Sequence, residues 1–118
     1  LNLSLSFGNV WININPKNAY NQPHNHPNSI LSGVYYVACK EGSGKVVFKN
    51  PASNMLYHLS NRAINEYNNV NCSVVQFNPV PGLLLIFPSW IEHYVMPNLN
   101  EEDRISIAFN VIVSDTKL

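Results

Sequence analysis

The chain has 118 residues, 46% hydrophobic and 12% charged, and its seven basic and seven acidic side chains cancel. That length supports one hydrophobic core and not two, and scattered basic residues offer no face to phosphate, which excludes nucleic acid as the main partner. No apolar run approaches the roughly 20 residues of a membrane span, no signal-peptide pattern opens the chain, and two cysteines are too few for a disulfide framework, so a reducing cytoplasm is the expected compartment.

The whole of 1–118 reads as a single domain. Because it opens on Leu1 rather than Met, it is read as a piece of a longer protein lacking an N-terminal part. Nineteen asparagines mark composition more than chemistry. Short runs rich in Val, Ile, Tyr and Phe alternate with Gly, Pro and Asn clusters, which is the punctuation of strands. No segment carries a convincing helical period.

The first predicted strand is 10–14, VWINI. The second, 20–26, contains His24 and His26, two of only four histidines. Residues two apart on an extended segment project to one side and can share an ion, and the flanking Pro23 and Pro27 argue against a helix. The pair is equally compatible with two solvated turn histidines. Strand 30–38, ILSGVYYVA, is apolar on both faces and so requires cover on both. Lys40–Lys45, KEGSGK, then reads as a hairpin turn into strand 45–49. It fails as a phosphate loop, since Cys39 and Val46 stand where Gly and Ser or Thr are needed.

The segment 52–71 is irregular, with room for a short strand or one helical turn, and its His58 has no candidate ligand beside it. Strands follow at 73–78, 83–87 and 91–96. The last holds His93 between Ile91 and Val95, a core-like setting, but it is the third ligand that a His-x-His pair needs. In the final strand, 104–113, Arg104, Ser106, Ala108 and Asn110 alternate with Ile105, Ile107, Phe109 and Val111, giving one polar and one apolar face. A buried guanidinium needs a partner. With no acidic residue on that face, an anionic ligand is the natural one, and a carboxylate suits arginine's paired donors. A surface arginine after the acidic turn Glu101–Asp103 is the competing reading. Eight short strands in so small a chain point to an all-β sandwich or jelly roll.

Taken in order, HNHPNSILSGVYYV, PGLLLIFPSWIEHYVMPN and RISIAFN resemble the Fe(II)/2-oxoglutarate-dependent oxygenase superfamily, across roughly residues 9–113. The resemblance implies a cupin-like double-stranded β-helix with Fe(II) at the open mouth between two sheets, and 2-oxoglutarate as cosubstrate. It implies that His24, His26 and His93 hold the metal. Arg104 and Ser106 would take the far carboxylate of 2-oxoglutarate, helped by a tyrosine. Tyr35 and Tyr36 point to opposite faces, and Tyr36 is preferred. Most members of the superfamily carry Asp or Glu where this chain has His26. Glu92 is a poor substitute, since its neighbour His93 sends it to the opposite face.

Two alternatives remain at this point: a cupin-type three-histidine metalloenzyme that does not use 2-oxoglutarate, and a non-catalytic jelly-roll binding module. Trp11, Trp90 and Tyr20 are candidates for the substrate side, or for packing. No segment of 1–118 has a helical period long enough to cover the apolar face of 104–113, so a homodimer through that face is expected, the competing reading being that a missing N-terminal part covers it.

Overall fold

The computed structural model describes residues 3–58 and 64–114. Two four-stranded antiparallel sheets face one another as a double-stranded β-helix. In chain order the strands are β1 (Ser4–Asn15), β2 (Asn21–His24), β3 (Leu31–Ala38), β4 (Val46–Lys49), β5 (Val74–Phe77), β6 (Leu84–Pro88), β7 (His93–Val95) and β8 (Arg104–Ser114). The first sheet runs β1-β8-β3-β6 and the second β2-β7-β4-β5. Among the described residues no helix is long and apolar enough to cross a membrane.

All eight predicted strands are present, with shifted ends. β1 is far longer than VWINI because it follows β8 along its whole length, from Ser4 opposite Ser114 to Asn15 opposite Arg104. A bulge between Phe7 and Asn9 re-phases the ladder. β2 stops at His24, so His26 lies just beyond it, its backbone N–H donating to the Ser89 carbonyl at 2.9 Å. The uncertain segment supplies a short helix, α1 (Ser53–His58), while residues 59–63 of it lie outside the described set.

One expectation is overturned. KEGSGK is not a hairpin turn, because β3 and β4 belong to different sheets and do not pair. The loop crosses between sheets, and positive φ at Gly42 and Gly44 supplies the bend.

The polar and apolar faces of β8 are disposed as its alternation requires. Arg104, Ser106, Ala108 and Asn110 are buried between the sheets, and Ile105, Ile107, Phe109 and Val111 lie on the outside. β1 repeats the pattern: Trp11, Asn13 and Asn15 pair with Ala108, Ser106 and Arg104 on the inside, while Val10, Ile12 and Ile14 face out. The outer face is exposed. Phe7 and Ile12 are each 67% accessible and Ile86 57%. The cover that β3 and β6 require is therefore present on the inner side only. Phe109 lies across Gly33 on the neighbouring strand, where even a methyl group would sit 2.1 Å from the ring.

The inner core is small. Val46, Val47 and Phe48 make β4 buried along most of its length. Phe48 packs against Phe87 at a ring separation of 4.7 Å and against His93 at 5.7 Å, so the aromatic floor of the barrel abuts the histidines.

Candidate metal centre

Three elements deliver the histidines. His24 ends β2 and pairs directly with His93, the first residue of β7. His26 lies two residues beyond the end of β2, its backbone held to the 88–91 loop through the Ser89 carbonyl. The ligand nitrogens of all three lie within 4.8 Å of one another. The Nε2 atoms of His26 and His93 are 3.4 Å apart. Two nitrogens bound to one ion at about 2.0–2.1 Å, at an angle of about 90–110°, sit about 2.8–3.4 Å apart, so this spacing fits a shared metal.

The rings are oriented from behind. The Ile91 carbonyl lies 3.0 Å from His93 Nδ1 and the Gln22 carbonyl 2.6 Å from His24 Nδ1. A carbonyl at Nδ1 fixes the proton there and leaves Nε2 with a lone pair for a metal. Burial, opposed by the Ile91 carbonyl and supplemented by the two neighbouring histidines, lowers the His93 pKa to about 4. Burial also lowers that of His26, with His24 contributing. Both effects favour neutral imidazole, the form that ligates.

Below the histidines, the same cavity is lined by Tyr36, Arg104 and Ser106. Arg104 is 2% exposed and has no carboxylate partner among the described residues. Its Nη1 donates to the Ser43 carbonyl, and the carbonyls of Gly44 and Met96 lie 3.5 Å away. The crossing loop thus anchors one arm of the guanidinium, which the sequence reading missed. Gly44 permits it: φ is +93°, and a Cβ would stand 2.1 Å from the Met96 carbonyl and 2.7 Å from Nη1. Repeated glycines in a short loop were the available signal, but they served equally well for an ordinary turn. Tyr36 is buried beside Arg104, and its burial raises the phenol to about 12 against the opposing pull of the guanidinium. It is therefore a hydrogen-bond donor at neutral pH. Tyr35 lies on the outer face.

A polar chain, buried at Ser32, Ser89 and Asn110 and reaching the surface at Asn9, supports the site. Ser32 Oγ donates to Asn110 Oδ1 at 2.7 Å, contacts Ser89 Oγ at 2.9 Å, and Asn110 Nδ2 donates to Asn9 Oδ1 at 2.9 Å. It ties three strands of the first sheet's side to the loop whose carbonyls hold His26 and orient His93. The remaining candidates separate. Trp11 lines the cavity, its ring 6.3 Å from that of His26, whereas Trp90 and Tyr20 are exposed and do not line it. His58 lies at the end of α1 and is not part of the cluster. Glu92 pairs with Lys49 at 3.5 Å on the surface.

A family model described as "Putative 2OG-Fe(II) oxygenase" matches residues 9–110, nearly the whole chain. The chain belongs to this 2OG-Fe(II) oxygenase family. No curated protein matches the sequence significantly. Among solved structures it is similar to an oxidoreductase of the 2OG-Fe(II) oxygenase family from Burkholderia pseudomallei, at a TM-score of 0.72 and 14% identity, covering 95% of this chain and 47% of that one. A Pseudomonas putida prolyl-4-hydroxylase is similar at 0.60 and 16% identity, covering 92% and 51%. A prolyl 4-hydroxylase from Phytophthora capsici is similar at 0.56 and 17% identity, covering 91% and 32%. The chain therefore spans about half, or less, of the length of these oxygenases, and at such identities the likeness is one of fold.

Proposed function

We propose that this chain is the catalytic barrel of a 2-oxoglutarate-dependent dioxygenase that hydroxylates a substrate not yet known. The observation that carries the reading is the convergence of His24, His26 and His93 at the mouth of a barrel that also buries an arginine with no carboxylate partner among the described residues. The three imidazoles fit Fe(II) by spacing and protonation state. Ser106, the Tyr36 hydroxyl and the arm of Arg104 not spent on Ser43 fit the far carboxylate of 2-oxoglutarate, which makes charge-assisted hydrogen bonds to such donors. When bound, the ferrous ion and the keto acid supply the activation of dioxygen and the oxidation of a C–H bond. The protein's own part is to orient: Ile91 and Gln22 aim the imidazoles, the Ser43 carbonyl aims the guanidinium, and Phe48 and Phe87 keep the floor dry.

A cupin-type enzyme acting without 2-oxoglutarate is the second reading, and His26 favours it. Three neutral imidazoles leave a divalent ion one unit more positive than a triad with a carboxylate. Adding Fe(II) and 2-oxoglutarate anaerobically separates the two: the oxygenase develops a visible charge-transfer band, whereas metal binding without the band establishes the alternative.

We further propose that a second copy of the chain covers the outer face of the first sheet. The two cysteines are free, which together with a ferrous site fits a reducing compartment such as the cytoplasm.

A further inference from the structure

Beyond the histidines and the carboxylate donors, one wall of the cavity has no task. It is the inner face of β1, where Trp11, Asn13 and Asn15 alternate inward, facing Asn21 at the start of β2. β1 and β2 are the edge strands of their sheets, so this wall stands at the opening between the two layers. All four residues are half-buried. Among the described residues no Asp, Glu or Lys lines the cavity, and Arg104 is the one cation there apart from the histidines.

The wall is oriented rather than generic. Trp11 Nε1–H donates to Asn13 Oδ1 at 3.1 Å. An amide whose oxygen accepts this hydrogen turns its NH2 group away from the indole, so Asn13 keeps an unspent donor at the cavity. Asn13 pairs with Ser106 across the β1–β8 ladder, and Asn15 pairs with Arg104. The backbone beneath them is clamped, because the fully buried Asn98 donates from Nδ2 to the Asn15 carbonyl at 3.0 Å and to the Glu102 carbonyl at 2.9 Å. The side chains of Asn15 and Asn21 make no hydrogen bond within the described residues, leaving both donor and acceptor capacity facing the cavity.

We propose that Asn13 determines substrate specificity by donating to a carbonyl of an uncharged amide, with Asn15 and Asn21 as adaptable partners. This rests on the oxygenase reading and deepens it by naming the substrate class. Among the described residues this wall offers a charged group no side-chain counter-ion beyond the arginine assigned to the cosubstrate, and an ammonium would besides face the positive metal. An amide, by contrast, offers the same coplanar donor and acceptor as the asparagines themselves. Asn13 and Asn15 are two residues apart, about 6.5–7 Å along a strand, which is also the repeat of alternate peptide groups in an extended chain. The chemistry recognised is thus an amide, from a peptide backbone or from a carboxamide.

Trp11 provides a readout that needs no turnover. The chain has two tryptophans, so Trp90→Phe leaves a single indole N–H resonance, hydrogen-bonded to Asn13. In protein loaded with Zn(II), with and without saturating 2-oxoglutarate, N-acetylglycine N-methylamide should shift that resonance saturably. Propionamide, acetate, methylammonium and glycerol are titrated in parallel. A stronger response to the diamide assigns a peptide and a stronger response to propionamide a carboxamide. Asn13→Asp keeps the acceptor for Trp11 and removes the donor, so amide affinity should fall at least tenfold. Equal shifts from acetate or glycerol, or no shift from either amide, overturn the proposal. So does an Asn13→Ala protein that loses 2-oxoglutarate affinity as severely as Arg104→Ala, since Asn13 would then belong to the cosubstrate clamp. Cosubstrate affinity is measured separately by calorimetry, and wild-type protein that binds no 2-oxoglutarate refutes the oxygenase reading independently of the amide titration.

Discussion

His26 Nε2 lies 3.4 Å from His93 Nε2, although 67 positions separate the two residues in the chain. Distant contacts bring them together: His26 is fixed by the Ser89 carbonyl, and His93 by its pairing with His24 as well as by the Ile91 carbonyl behind its ring. A metal should bind with 1:1 stoichiometry. Alanine at His24, His26 or His93 should weaken Co(II) or Ni(II) binding by more than the about 10–100-fold typical of losing an outer-sphere partner. His26→Asp should retain binding, because a carboxylate is an acceptable third ligand for the same ions. Calorimetric titration checks both outcomes.

Arg104→Lys keeps the charge and removes the fork. Lysine is a point donor on a flexible stem, so it can satisfy either the Ser43 carbonyl or a bound carboxylate, but not both with good geometry. The 2-oxoglutarate affinity should fall at least tenfold, about 1.4 kcal/mol. Arg104→Ala should cost more, about 1.5–3 kcal/mol for each charge-assisted hydrogen bond lost. A loss below about 1 kcal/mol for the alanine variant would place the arginine outside the cosubstrate site.

Gly44→Ala tests the loop that crosses between sheets. The added methyl meets a backbone carbonyl at 2.1 Å, in a conformation with φ of +93°. A non-glycine residue held in such a region costs about 1–3 kcal/mol before any displacement of the loop. Urea denaturation should show that loss, and 2-oxoglutarate binding should weaken because the Ser43 carbonyl moves. Gly42→Ala has a similar φ of +82° but open space around the new methyl, so it should cost less and spare binding.

Asn110→Ala removes the centre of the buried polar chain. Ser32 loses an acceptor and keeps only its contact with Ser89, while the exposed Asn9 turns to water, so the cost is that of one weakened buried group, about 1–3 kcal/mol. Denaturation should register the loss in stability. Metal affinity should also fall, through the 88–91 loop, although Asn110 touches no ligand.

The outer face of the first sheet should bring two copies together. Val10, Ile12 and Ile14 of β1 line up with Ile105, Ile107 and Phe109 of β8, and burying such side chains is worth about 1.5–3 kcal/mol each. Sedimentation velocity should find a dimer at micromolar concentration. Ile12→Lys with Ile14→Lys should yield a monomer that still binds metal. A monomeric wild type would defeat the expectation.

What the sequence disclosed follows from how local each feature is. The alternation in β8 is a period-two pattern, and it assigned every side chain from Arg104 to Val111 to the correct side. The eight strands were legible from an equally local signal, runs of Val, Ile, Tyr and Phe bounded by Gly, Pro and Asn. Strand ends were not, because β1 extends as far as its partner β8 runs, and that partner lies at the other end of the chain. The KEGSGK loop was misread because the same glycines suit a hairpin and a crossing between layers. Only the sheet to which β4 belongs distinguishes them. The anchoring of Arg104 by Ser43 joins residues 61 positions apart through a backbone carbonyl, which leaves no trace in side-chain identity. Asn13 and Asn15 were legible as residues but were absorbed into the high asparagine count.

The position of β8 has a consequence for how the domain assembles. It is the last strand of the domain in sequence, yet it sits between β1 and β3. On the ribosome, β1 has no partner among the described strands until β8 emerges, so that pairing must wait through the synthesis of the whole barrel. Such long-range closure is slow and exposes surfaces that aggregate. A chain cut before Arg104 would lose Arg104, Ser106 and the strand that joins β1 to β3 together. Binding competence and the folded state should therefore appear in the same kinetic step.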